Sequence, residues 1–212
     1  VGILPVQDED MADDGTPAKV DGRFLRTERT RQRIIEAFLA LLQRGRDPTA
    51  NEIADHAGCS VRSVFERFHD MMALRVAAAD HALDDTRSSD PASPDSSDRQ
   101  RRLRGHVTMH ASLCERMVPL WRNLLLHQNE SDTLRQHVAG IRAGAMARLE
   151  RAYGVELATL KPEHRRQTLI AAEAIIDIDC WARMREFHGL SFEEACEVWL
   201  AALDKLLPQS AS

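Results

Sequence analysis

The stretch "HAGCSVRSVFERFHD", residues 56–70, decides how the rest of the chain is read. Gly58 breaks a helical pattern, and Ser60 is placed to cap a new helix over 61–67. The preceding "TANEIADHA" (49–57) opens with Thr49 and has Glu52 three residues on, a capping box that turns Ile53, Ala54 and Ala57 inward. Two helices joined across a glycine-containing turn make a helix-turn-helix. That arrangement offers its second helix to the DNA major groove, where only the N-terminal turn need reach base edges, so the helix can be short. Val64, Phe65 and Phe68 are expected to anchor it to the helices on either side, which leaves Arg62 and Ser63 free. Arginine is the usual reader of guanine O6 and N7, and the open amides at Ser60 favour a phosphate. The bland alternative for Arg62 and Ser63 is a solvated helix face.

Composition bounds the rest. The chain has 212 residues and a pI near 6.0, which fits one compact unit or two small ones. Aromatic residues make up only 5% while Ala, Leu and Arg abound, a mixture that favours helix over strand. The formal net charge of −5 argues at first against nucleic acid, but the distribution matters more. Residues 1–22 carry six acids and one lysine, and read as a disordered acidic tail. Residues 23–69 carry nine arginines against six acids, so basic charge gathers around the opening stretch. Cys59, Cys114, Cys180 and Cys196 form no C-x-x-C pair and fall in helical patterns, which reads as buried, reduced thiols in a cytoplasmic protein. No apolar run is long enough to span a bilayer, so no membrane partner is expected.

The remaining chain divides at a linker. A first helix is expected from Thr27 to Arg44, stopped by Gly45, and a fourth from Asp70, with Leu74, Ala77, Ala78 and His81 on one side. Residues 85–98 lie in a Pro- and Ser-rich stretch that cannot pack well. They separate a unit over 23–84 from a second over 99–207. In the second, Leu103, Val107, His110, Cys114, Met117 and Trp121 form a stripe that Pro119 should kink or divide. Ser131 or Asp132 caps the next helix, and Pro162 opens a long one running to about His188. Ser191 and Glu194 form another capping box before a helix lined by Ala195, Trp199, Leu203 and Leu206. The fold class expected is all-α, with about nine helices and no strand.

The residues "RQRIIEAFLALLQRG" (31–45), "TANEIADHAGCSVRSVFERF" (49–68) and Leu74 resemble the TetR family of transcriptional regulators. The match covers about a quarter of the chain, and "CWARMREFHGLSFEEACEVWLAALDKLL" adds a weaker likeness to the family's last two helices. The resemblance implies an N-terminal helix-turn-helix domain, a C-terminal ligand-binding and dimerisation domain, and binding to a double-stranded operator. The residues it assigns to DNA are Arg26, Thr49, Ser60, Val61, Arg62, Ser63, Phe65, Arg67 and His69. Four positions depart from the family pattern. Phe65 stands for its tyrosine, Arg67 for its histidine, Met71 for a common lysine and Ala50 for a second threonine. These changes predict weaker DNA binding, or a shift of phosphate contacts to Arg67, His69 and an arm made of Arg23, Arg26, Arg29 and Arg31.

The second unit offers candidates of two kinds. A ligand pocket is expected around His110, Cys114, Met117, Trp121, Leu124, Asp177 and Trp181. For His110 the other reading is a core histidine bonded to a carbonyl. The helix expected over 162–188 is apolar around most of its girth and must be covered on two sides, one of them by a second subunit. Ile170, Ala174, Ile178, Trp199, Leu203 and Leu206 are assigned to that homodimer interface. Asp177 sits on the apolar side, so it should have a partner, either an arginine across the interface or a ligand. No catalytic motif, metal-ligand spacing or cofactor loop is found, so no enzyme, metal or cofactor is expected. The function expected is a repressor released from a palindromic operator by an unknown small-molecule effector. Two alternatives stay open: a helical interaction protein that has lost sequence-specific DNA reading, and a ligand-independent activator.

Overall fold

The computed structural model describes residues 22–87 and 98–209, which are helical with no strand among them. The α-helices are α1 (Gly22–Leu42), α2 (Ala50–Ala57), α3 (Val61–Arg67), α4 (Met71–Arg87), α5 (Arg99–His127), α6 (Asp132–Ala152), α7 (Gly154–Leu157), α8 (Pro162–Ile175), α9 (Ile178–Glu186) and α10 (Phe192–Leu206). A 3-10 turn, Gln128–Glu130, joins α5 to α6.

Side-chain caps start most of these helices, as the sequence chemistry requires. Thr49 and Glu52 close the capping box of α2, Ser60 accepts from the Ser63 amide at α3, and Ser191 and Glu194 repeat the box at α10. Ser131, rather than Asp132, caps α6. Gly58 ends α2 in the left-handed region, φ 63°, where its amide reaches back to the Ala54 and Asp55 carbonyls.

The helix boundaries differ from the expected ones in several places. α1 begins at Gly22, inside the segment read as a tail, and residues 1–21 lie outside the described residues. α4 runs on to Arg87 and Asp98 already caps α5, so only 88–97 of the expected linker lie outside the described residues. Pro119 does not divide α5, which continues to His127. Packing holds it: α5 touches α1, α4, α6, α9 and α10, and these contacts outweigh the one backbone bond that proline removes. The long helix expected over 162–188 is two helices. Asp177 takes extended backbone and its carboxylate accepts from the Asp179 amide, starting α9 afresh. That break and the short α7 each add a helix and the undivided α5 removes one, which leaves ten α-helices among the described residues against about nine expected.

Two buried clusters form the core, and their border does not follow the linker. The first joins α1–α4 to Met117, Leu120, Trp121 and Leu124 of α5 and to Leu134 and Val138 of α6. The second joins Leu103–Val118 of α5 to Leu149, Tyr153, Leu157, α8, α9 and α10. α5 therefore belongs to both, and its C-terminal half is part of the platform beneath the helix-turn-helix. A row of rings crosses the second cluster: Phe192, Trp181, Trp199, His110, His106 and Tyr153, each with its centroid 4.9–5.9 Å from the next. Cys114 and Cys196 are buried as expected of reduced thiols, whereas Cys59 and Cys180 are half-buried; all four are free.

Candidate functional site

The helix-turn-helix is built by packing from beneath. Val64 and Phe68 are 1% and 4% exposed and seat α3 on the first cluster. Phe65, expected to anchor with them, is 47% exposed. The α-helical period explains this, because 64 and 68 share one face while 65 is turned away by about 100°. Arg62 projects from the first turn with its side chain 88% exposed, and its Nε donates to Glu66 Oε1 at 2.9 Å. That bond holds the Glu66 carboxyl below its ordinary range. Ser60 Oγ accepts from the Ser63 amide and lies 2.9 Å from Ser63 Oγ. Val61 and Ser63 are half-buried, and His69 is exposed. Arg67 is half-buried with its Nε sealed and unpartnered, so only its terminal nitrogens can reach a phosphate.

Other basic residues are committed to partners. The Thr49 backbone and hydroxyl both donate to Glu52, whose carboxylate also meets Arg46 at 2.7 Å. A carboxylate thus already occupies the N-terminus of α2, where a phosphate would otherwise be attracted. Arg31 lies over the Phe68 ring at 5.2 Å and pairs with Glu28, and Arg26 is exposed along α1.

A polar network joins this head to α5. Arg75, in the second turn of α4, has a side chain only 4% exposed. Its Nη2 donates to both Asp47 oxygens at 3.1 and 2.8 Å, and its Nε donates to Asn123 Oδ1 at 2.9 Å. Asn123 Nδ2 donates to Asp47 at 2.8 Å, and His127 Nε2 lies 2.8 Å from the same carboxylate and 3.0 Å from Arg75. Asp47 stands two residues before the Thr49 cap, so the network fixes the entry to the helix-turn-helix against the C-terminal end of α5. Nothing in the period of "MMALRVAAAD" marks Arg75 as buried. Only the fold brings its three partners together.

A small cleft of about 80 Å³, partly open to solvent, lies between the two clusters. Its walls come from α5, α6, the α8–α9 break and Leu83 of α4. Of the expected pocket residues, His110, Cys114, Met117, Trp121 and Asp177 line it. Leu124 and Trp181 do not: both are fully buried, and the Trp181 Nε1 donates to Glu115 at 2.6 Å. His106, Arg142, Arg148 and Glu173 line the cleft and were not expected. His106 lies one turn before His110 on the same stripe, so the sequence carried a signal for it. The His110 Nε2 is 2.8 Å from the Ile176 carbonyl, so the histidine is both bonded to a carbonyl and part of the wall. Burial lowers its affinity for a proton, and burial with its His110 and Arg148 neighbours lowers that of His106 to a pKa of about 3. Both rings are neutral at pH 7. Burial likewise pushes the Cys114 thiol up, so it is no nucleophile.

The residues assigned to a dimer interface separate into two groups. Trp199 and Leu203 are 1% and 0% exposed inside the second cluster, where they have no surface to give a partner. Ile178 is half-buried and lines the cleft, and Leu206 packs against the same cluster. Ile170 and Ala174 are exposed on α8. On α10, which packs against α8, the exposed apolar positions are Val198 and Ala201. Burial decided this: a stripe on an amphipathic helix points first to its own core, and the outward face comes second.

Among solved structures, 14 chains match the fold. A protein described as a TetR-family transcriptional regulator from Rhodococcus sp. has TM-score 0.64 at 22% identity over 85% of this chain and 99% of its own. Another so described, from Mesorhizobium loti, has TM-score 0.60 at 16% identity over 85% and 96%. The multidrug binding protein EbrR, complexed with imidazole, has TM-score 0.56 at 20% identity over 86% and 97%. No protein-family model and no curated protein matches the sequence. The chain has the fold of the TetR-family transcriptional regulators.

Proposed function

We propose that the protein is a homodimeric, cytoplasmic transcriptional repressor that leaves a roughly palindromic operator when a small molecule enters the cleft. One observation carries this reading. α3 is seated by Val64 and Phe68 so that Arg62 stands 88% exposed at its first turn, in a chain whose next helix, α4, reaches the wall of a largely apolar cleft through Leu83. The likeness to regulators, one of them described as multidrug binding, supports it. Ile170, Ala174, Val198 and Ala201 supply the outward apolar face for the second subunit. A dimer of this kind places two α3 helices about one DNA turn, ~34–36 Å, apart. By linkage, the effector must prefer the DNA-incompetent arrangement, and DNA must weaken effector binding by the same factor.

Charge favours a second reading, an interaction protein that no longer reads DNA. Glu52 and Glu66 already hold Arg46 and Arg62 on the surface that would face phosphate. Fluorescence anisotropy decides between the two. Duplex DNA from upstream of the protein's own gene is titrated beside a scrambled duplex at two salt concentrations. The repressor reading expects tighter binding to the first duplex, lost in the Arg62→Ala, Arg67→Ala variant, with each removed phosphate contact lowering the salt slope by about one unit. Absence of binding to either duplex at low salt would remove the repressor reading.

A further inference from the structure

His106 and His110 stand one turn apart on the cleft wall with their rings stacked at 5.9 Å and 9° from parallel. The His106 Nδ1 lies 2.6 Å from the Tyr153 hydroxyl. Tyr153 is buried, and burial keeps its phenol protonated. Its O–H is donated to Nδ1, its sole hydrogen-bond partner among the described residues, which places the His106 proton on Nε2. His110 is fixed in the same way. Its Nε2 faces the Ile176 carbonyl, which can only accept, so the proton is on Nε2 and the lone pair on Nδ1. Among the described residues, the two imidazoles therefore present one free donor, His106 Nε2–H, and one free acceptor, His110 Nδ1. Neither nitrogen is sealed, whereas Trp121 Nε1 on the same wall is.

The charges of the cleft cancel. Arg142 and Arg148 come from α6, and Glu173 and Asp177 from α8 and the turn after it. An entering ion would be attracted by one pair, repelled by the other, and stripped of its hydration. The rest of the lining is apolar, with Leu113, Met117, Ile141 and Ile178 among it. We propose that the effector is a neutral, mostly apolar molecule bearing one hydroxyl, of the phenol class, whose oxygen accepts from His106 Nε2–H and whose O–H donates to His110 Nδ1. This rests on the reading of the cleft as a ligand site.

Isothermal titration calorimetry on the full chain at pH 7.5 tests it with four probes of one shape: 4-propylphenol, propylbenzene, 4-propylbenzoate and 4-propylbenzylammonium. The phenol is expected to bind about tenfold or more tighter than propylbenzene, as one or two net hydrogen bonds imply, and tighter than either ion. His106→Phe should abolish the preference for phenol while leaving propylbenzene within about threefold, which also shows that the variant is folded. Tyr153→Phe, which releases the proton of His106 to either nitrogen, should reduce the preference only in part. Equal binding of phenol and propylbenzene, unmoved by His106→Phe, would overturn the hydroxyl class while the cleft remained a ligand site. Tightest binding by benzoate or by the ammonium ion would overturn it as well. Failure of all four probes to bind would overturn both this inference and the ligand-site reading beneath it.

Discussion

Removing the Asp47 carboxylate should destabilise the protein out of proportion to its exposure. Asp47 is one third exposed, but the side chain of its partner Arg75 is only 4% exposed. Asp47→Ala deletes two bonds from Arg75 and leaves the Asn123 amide and His127 without their shared acceptor. Breaking a buried pair by removing one member costs about 3–5 kcal/mol. Water reaching the exposed side of position 47 and the surviving Arg75–Asn123 bond reduce this to about 2–3 kcal/mol, or roughly 4–12 °C in Tm for a chain of this size. Adding Arg75→Met removes the stranded charge and should bring the double variant back to within about 1 kcal/mol of the parent. Urea unfolding followed by circular dichroism at fixed protein concentration measures all four corners of the cycle. The exposed pair Arg135–Asp132 is the control, and Asp132→Ala should cost less than about 0.5 kcal/mol. An Asp47→Ala cost no larger than that control, or a double variant as unstable as the sum of the two single changes, would show that Arg75 is not a stranded buried charge.

Three further outcomes are expected. Gly58→Ala meets open space but must hold φ 63°, so it should cost about 1–2 kcal/mol of stability from backbone strain alone, read by thermal melting. His106 resists protonation when folded but takes a proton at its ordinary pKa of 6.5 when unfolded, so its contribution is complete above that pH and is lost as pH falls from 6.5 towards about 3. His110 adds in the same direction, and a His106→Gln variant should show a flatter acid limb in unfolding free energy against pH; an unchanged limb would count against a buried neutral imidazole. If the proposed dimer forms through the outward face of α10, where Val198 is half exposed, Val198→Arg should shift sedimentation velocity from dimer to monomer without loss of helix signal.

The local signals in the sequence proved legible because they act between near neighbours. Thr49 with Glu52, Ser60, and Ser191 with Glu194 cap the helices they were expected to cap, since an N-cap satisfies amides only two or three residues away. The α3 boundaries and the all-helical class follow from the same short-range chemistry. Chain period was less reliable. It placed Phe65 with Val64 and Phe68, and it put Trp199 and Leu203 on an interface although both are in the core. It also read through Asp177, where a single residue in extended backbone ends one helix and caps the next.

What the amino-acid order determined by itself was the set of helices around the helix-turn-helix, their caps, and Arg62 at the start of α3. What only the tertiary structure decided was which apolar face is core, which is cleft and which is surface. It also decided that Arg75, Asp47, Asn123 and His127 meet, and that His106 and His110 stand on the wall of one cleft. The reason is one of range. A helix propensity or cap is settled within a few residues, whereas the burial of a polar group depends on partners 28 to 76 positions away, as in the Arg75–Asp47–Asn123 triangle, and no local pattern encodes that distance.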